Sequence, residues 1–361
     1  METSPIPNLI LDKDKVLGLR MERQFFTRPA DEEAYDSFFR DISPVPTIGW
    51  CEPGRPPTLP PHAAFDDDAY NARLRAGRKI LKGRFGGRVA YIQREDWELY
   101  ACLYQKPLLH PTDSQLRMLE LITKEGPVNI GLIKEYTGLL VKHITPILHR
   151  LQEAFLLYED QVYNDGDRGW YAFAGEFPEV DLQRYTKEEA LAQILPRFAF
   201  RQVFFSPSMA SVFYGQPLKL VQKVLDSMVE AGALRPARME ETEGYCLPGD
   251  IDAIDAAPSP QKGVILLQRN DFLVKSQEDS LKKRFVPPSP FETLYYLLID
   301  GDIQGAVYGR FKFGPHVLEN IELTLPAGEH ARRRDEVLDA LYGVFDRAAS
   351  PLRCYGGMPL S

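Results

Sequence analysis

The sequence predicts an α+β protein built from tandem winged-helix (helix-turn-helix) domains followed by a C-terminal β-rich domain. One observation carries most of this. Tyr136, Gly138, Ile144, Ile147, Leu148, Leu151, Glu153, Ala154 and Leu157 recur 77 residues later as Phe213, Gly215, Val221, Val224, Leu225, Met228, Glu230, Ala231 and Leu234. The apolar matches fall three or four apart, as one buried helix face requires. A second observation is that each copy runs into a hairpin signal, so each reads as a short helix, a turn, a longer helix and a wing. The third is a change of period beyond residue 262, where helix-spaced residues give way to alternating strands.

The elements follow in order. KVLGLRMERQFF and DEEAYDSFFRDI predict two helices within 14–42, the second with acidic residues in its first turn. Residues 43–64 are too proline-rich to continue a helix. Asp67–Leu81 reads as a helix, KGRFGG as a turn, Arg88–Gln93 as a strand and Glu95–Tyr104 as a helix. Thr112-Asp113-Ser114 caps QLRMLELITKEG, Asn129 opens IGLIKEYTG, and Thr145 with Pro146 just inside opens the long helix. The wing YEDQVYNDGDRGWYAF turns at Asn164-Asp165-Gly166. The second copy comprises LAQILPRFAF, SPSMASVFYG and PLKLVQKVLDSMVEAGAL, with its hairpin in RPARMEETEGYCL. Residues 249–262 read as a linker. GVILLQRNDFLV, TLYYLLIDGDIQGAVYGRFKF and HVLENIELTL then read as strands, turning at Asp300-Gly301, and helix Arg334–Ala348 closes the chain. The expected domains are thus 1–110 (helical and winged-helix-like, with a basic segment and a candidate site), 111–180 and 181–250 (winged helices), and 262–361 (β-rich).

At 361 residues the chain has room for two to four domains. No apolar run reaches the roughly 18 residues of a membrane span, and METSPIPNLILDKDK lacks the basic start and apolar core of a signal peptide, so a cytoplasmic protein is expected. The four cysteines lie far apart without a C-x-x-C pair, and the six histidines show no ligand spacing. No metal and no cofactor are expected.

A net charge of −8 argues against a protein that simply coats nucleic acid, but the local field matters more than the sum. Arg73, Arg75, Arg78, Lys79, Lys82, Arg84, Arg88 and Arg94 follow one another with no acid between them, flanked by Asp66-Asp67-Asp68 and by Glu95-Asp96. Within this segment Lys79, Lys82, Arg84 and Arg88 are the candidate phosphate contacts; the alternative is a solvated or internally paired face. On the first long helix Lys142, His143, Thr145, His149, Arg150 and Gln152 lie off the apolar face and suit phosphate and base contacts, or else a plain solvent face. Lys219, Gln222 and Lys223 are their counterparts in the second copy. No G-x-S-x-G, H-E-x-x-H or P-loop occurs.

In this order and spacing the segments resemble the AlkZ/YcaQ family of winged-helix DNA glycosylases, over nearly the whole chain. Arg20, Arg23 and Gln24 match an opening R-x-x-R-Q; GRVAYIQREDWELY, with Asp96 as its acid, stands where the family has an R-G-T-x-H-like strand and a helix. ILLQRNDFLV with Asp271, and LLIDGDIQG, match two C-terminal elements. The resemblance implies hydrolysis of the N-glycosidic bond of bulky or cross-linked alkylpurines in double-stranded DNA. It also implies a Gln-x-Gln or Gln-x-Asp pair that orients water against C1′. In this chain Pro46 and Ile48 stand at the pair and Tyr91 at the strand histidine, so the expected protein kept a DNA-binding scaffold and lost or moved its catalytic group. Gln93 and Asp96, with Asp66 and Glu95, are the polar groups that could substitute. A non-catalytic DNA binder (lesion sensor or transcription regulator) and a protein-interaction scaffold are the alternatives.

Overall fold

The computed structural model describes residues 9–48, 53–161, 166–312 and 314–360. They form two compact units, each assembled from separated stretches: Met1–Phe38, Leu59–Phe65 and Leu195–Ser361 in one, Phe39–Thr58 and Asp66–Ile194 in the other.

The repeat is visible in the backbone. In the first copy the turn helix is Ile130–Thr137 and the long helix Val141–Glu153; in the second they are Pro207–Tyr214 and Leu218–Glu230. All four boundaries are displaced by 77 residues. Each turn helix ends on a glycine in the left-handed region, Gly138 at φ 66° and Gly215 at φ 60°, which donates its N–H back to close the helix. Only glycine adopts this cap without strain. Even an isolated bridge recurs, Val128 with Trp170 and Phe205 with Tyr245. Each copy carries a hairpin behind its long helix: Leu157–Asp160 with Gly169–Ala172, and Arg235–Met239 with Thr242–Cys246. Strand Ile10–Leu11 extends the second hairpin in parallel. The predicted turn of the first hairpin at Asn164-Asp165 lies outside the described residues.

Packing follows the periodicity. Met118, Ile122, Ile133, Ile144, Leu148, Leu151 and Trp170 form the core of the first copy. The second is centred on aromatic rings: Phe213 lies 5.0 Å from Phe272 and 5.5 Å from Phe198, centroid to centroid. The unit that holds the first copy also contains a three-stranded sheet in the order Val45–Pro46, Arg88–Gln93, Ile80–Phe85. Strand Ile80–Phe85 joins the central strand Arg88–Gln93 through Gly86-Gly87 at φ 58° and 84°, a two-residue turn that demands positive φ twice.

The C-terminal region is a six-stranded sheet in the order Met358–Pro359, Leu352–Tyr355, Val317–Leu323, Asp302–Arg310, Glu292–Ile299, Val264–Gln268. Leu297 and Ile299 pack on one face with Val337 and Leu341 of helix Arg334–Tyr342. Leu298 and Tyr296 pack on the other with Leu273, Val274 and Leu281.

Five expectations need correction. Helix Asp67–Ala76 stops at Gly77 and Arg78 takes φ 52°, so Ile80 and Leu81 begin a strand instead of ending a helix. The first long helix opens at Val141, not at Thr145; Pro146 lies inside it and removes one donor without ending it. Residues 249–262 are no linker, because helix Ile251–Ala256 buries Ile254 among Leu11, Val16 and Leu19. Strand Val264–Gln268 ends early, and Asp271 caps helix Phe272–Ser276 by accepting from Leu273 N–H at 2.8 Å. The closing helix ends at Tyr342, and two short strands follow it.

Candidate active site and nucleic-acid interface

The two departures from the glycosylase pattern meet in one sheet. Strand Val45–Pro46 pairs with Arg88–Gln93 so that Val45 lies opposite Tyr91 and Pro46 opposite Ala90. Across the other edge Tyr91 lies opposite Lys82. Directly paired residues share a face, so Val45, Tyr91 and Lys82 form one row. Tyr91 is fully buried. Pro46 and Ile48 carry hydrocarbon side chains, which offer neither a donor nor an acceptor to a water; residues 49–52 lie outside the described residues.

The polar groups that could substitute are engaged elsewhere. Asp66 caps helix Asp67–Ala76, accepting from Ala69 N–H at 3.1 Å. Asp96 is buried and clamped by Arg40, whose Nε and Nη2 each donate at 2.9 Å. That hydrogen bond, against a cost of burial, raises Arg40 above its ordinary pKa. Glu95 is exposed, 3.5 Å from Arg40 Nη1, and Gln93 is half-buried opposite Ile80 at the strand end.

Much of the basic segment is consumed internally. Lys82 is buried and donates to Glu159 at 2.8 Å and to Gln161 at 3.3 Å. Burial pushes its pKa down, while Glu159 pulls it up. Lys82 is therefore closed off from any phosphate, a correction to its expected role. Arg75 donates to Asp160 at 2.9 Å and Arg78 to Glu176 at 2.7 Å. Burial opposes the charge of Arg75, but Asp160 and Tyr91 outweigh it and hold its pKa above the ordinary value. Arg84 donates to His149 Nε2 at 3.2 Å, to Gln152 at 3.4 Å and to the Gly87 carbonyl at 2.9 Å. Lys79 and Arg88 are exposed.

The same divide runs along the first long helix. Lys142 and His143 are exposed and Thr145 is half-buried near its start. Further on, Arg150 donates to the carbonyls of Lys106 and Pro107, each at 2.9 Å. His149 is held below its ordinary pKa, first by burial and then by the Arg84 charge. In the second copy Lys219 and Lys223 are exposed and line an open groove along the helix with Gln222 and Asp226. Gln222 is fixed by donating to Asp226 at 2.7 Å and to Tyr245 Oη at 2.9 Å.

The residues that carry the resemblance act as staples of the fold. Helix Lys187–Gln202 ends with carbonyls that have no acceptor role within the helix. Arg23 donates to the Phe200 carbonyl at 3.0 Å, Gln24 to that of Arg201 at 2.9 Å and Arg20 to that of Gln202 at 2.9 Å. Burial pushes Arg20 down to about 10, so it still meets this helix end as a cation. Asp271 Oδ2 lies 2.8 Å from His62 Nε2, and the Gln24 carbonyl lies 2.5 Å from Nδ1 of the same buried ring. Both ring nitrogens face acceptors, a junction that no spacing along the chain reveals. Asp300, in the matched D-G turn, is held below the usual carboxylate range first by its hydrogen bond from Arg333.

Among the described residues no cluster of His, Cys, Asp and Glu could hold a metal ion, and no helix is long and apolar enough to cross a membrane. No family model and no curated protein matches the sequence. The fold is that of a solved structure, the DNA glycosylase AlkZ of Streptomyces sahachiroi. The two align with a TM-score of 0.64 at 14% identity, over 96% of this chain and 100% of the other. At that identity the likeness speaks for the fold.

Proposed function

We propose that this protein binds double-stranded DNA through a glycosylase-type scaffold of tandem winged helices, without the water-orienting pair of an alkylpurine glycosylase. The observation that carries the reading is the row formed by Val45, Tyr91 and Lys82, with Pro46 alongside. Hydrolysis at C1′ needs a group that orients water and tolerates an oxocarbenium-like sugar. Here the sheet carries hydrocarbon, a buried tyrosine and a lysine already paired with Glu159 instead. The chain-long match to a DNA glycosylase fold supports DNA as the partner, and the exposed Lys79, Arg88, Lys142, His143, Lys219 and Lys223 are the cations that would meet phosphate.

The test pairs two assays on one preparation: binding to duplexes with and without bulky alkylpurine adducts across a salt series, and abasic-site release from the same duplexes. Salt-dependent binding with no base release is expected. Robust base release abolished by Asp96→Asn or Gln93→Ala would instead show that the catalytic group had moved. Salt-independent or absent DNA binding would favour a protein-interaction scaffold. One observation leans that way: the second hairpin turns through Glu240 and Glu241, with Glu243 beside them, an anionic tip for a wing.

A further inference from the structure

Half of the exposed large apolar side chains among the described residues fall between Leu109 and Val141, around the first helix-turn-helix. Tyr136 is 60% exposed and Leu132, one turn earlier on the same helix, 41%. A solvated helix face does not ordinarily carry such a pair.

The internal repeat shows what covers the corresponding face of the second copy. Tyr136 corresponds to Phe213, which is 7% exposed because helix Phe272–Ser276 packs across its helix and seats Phe272 against it. Phe272 also meets Phe198, the counterpart of Leu121, with centroids 5.4 Å apart. The second copy thus receives a short helix led by an aromatic residue and capped by an aspartate, and the first copy presents the same positions uncovered. Lys134, exposed on the turn helix, stands where the second copy has Ser211. It adds a cation to the uncovered face.

We propose that the first copy docks a short amphipathic helix of a partner protein, with an aromatic residue at its start and acidic residues around its N-cap, against Tyr136, Leu132 and Leu121. The mode is helix-on-helix recognition through a few apolar anchors. None of Tyr136, Leu132 and Leu121 is among the cations assigned to DNA, although Lys142 and His143 open the next helix of the same copy, so the test reads DNA affinity as well.

The experiment uses the full chain and, as probe, a peptide of residues 270–285 that keeps Phe272 and carries an added N-terminal cysteine as an activated disulfide. Two targets are compared, Glu135→Cys beside Tyr136 and Leu218→Cys on the second long helix, each with Cys51, Cys102, Cys246 and Cys354 changed to Ala. Rates are normalised to a small thiol reagent. Docking raises the local concentration of the peptide's activated disulfide around the protein thiol, which attacks it and releases the activating group. Capture at position 135 should therefore be at least about tenfold faster than at 218 and should fall back when Leu132→Glu is added. Equal rates, or a rate indifferent to Leu132→Glu, would overturn the proposal. So would a loss of DNA affinity of about tenfold or more in Tyr136→Ala, which adds no charge beside Lys142 and would give the face to DNA.

Discussion

The two helix-turn-helix copies share every helix boundary and both glycine caps, yet they are held by different chemistry. The first is tied down by polar anchors: Arg84 reaches His149 and Gln152, and Arg150 reaches two backbone carbonyls. The neighbouring strand residue Glu159 neutralises Lys82. The second is tied down by rings, with Phe272 packed against both Phe198 and Phe213. Consequently the first copy gives up the second half of its long helix to the interior and leaves its turn helix bare. The second covers its turn helix and leaves its long helix open. A repeat preserves what makes a helix stop and turn; what lies across each face is decided elsewhere in the chain.

The largest expected effects attack these two kinds of anchor. Phe272→Ala should cost ~3–5 kcal/mol, since a buried ring leaves a cavity among other rings. Glu159→Ala should cost a similar ~3–5 kcal/mol by leaving the Lys82 ammonium buried without its partner. Denaturant unfolding of each variant measures both. The contrast lies in the rescue: Lys82→Met added to Glu159→Leu should recover most of the loss, because an apolar pair of similar volume replaces a desolvated ion pair. If Lys82→Met alone lowers DNA affinity at unchanged stability, Lys82 serves DNA and the contrast between the copies fails.

The shared part of the comparison is sharpened by the caps. Gly138→Ala and Gly215→Ala each place a side chain at positive φ, and each should cost ~1 kcal/mol or somewhat more. Nothing within 4 Å meets the added carbon at either position, so the strain is backbone strain alone and the two losses should agree. A markedly larger loss at one of them would mean that the copies differ in the turn itself.

What the sequence made legible divides along the same line. Local rules found the repeat, the Thr112 and Asn129 caps and the Asp300-Gly301 turn. The repeat also held the correct start of the first long helix, since the second opens at Leu218 directly after Pro217, 77 residues beyond Val141 and Leu140. The rule that proline favours a helix's first turn overrode it at Pro146. Partners distant in the chain were not legible. Eight cations without an acid between them look like a phosphate track until Glu159, Asp160 and Glu176, some eighty to a hundred residues on, are brought to Lys82, Arg75 and Arg78. The one available hint was an acidic pair inside an otherwise apolar strand, Leu157-Tyr158-Glu159-Asp160. The matched motif residues point to the fold and not to the chemistry. Arg20, Arg23, Gln24 and Asp271 read as family signature, but their contacts close a helix end and seat His62.

A smaller effect separates the long helices by function. Arg150→Ala removes two hydrogen bonds from a charged donor and should cost ~1–3 kcal/mol of stability while leaving DNA affinity unchanged. Lys223→Ala, exposed on the open helix, should leave the melting temperature in place and weaken binding a few-fold, with a salt slope reduced by about one. The reverse pattern would exchange the roles of the two copies.

The smallest expected effect is a pH dependence confined to the first copy. His149 accepts from Arg84, so the folded state favours its neutral ring and holds its pKa below the ordinary 6.5, by burial first and by the Arg84 charge second. The unfolded chain then binds a proton more readily than the folded one, and stability rises with pH wherever that difference exists. The contribution is complete above the unfolded value of 6.5 and is lost as pH falls through the folded one. Melting temperatures recorded from pH 8 down to pH 5 should therefore decline, and His149→Gln, which keeps an acceptor for Arg84 but cannot titrate, should flatten part of that decline. The same scan on Gln222→Ala in the second copy should keep the wild-type slope, because no histidine faces that helix among its hydrogen-bond partners. An unchanged slope in His149→Gln would mean that the ring titrates as it does in water, and that the Arg84 contact does not hold the second half of the helix in place.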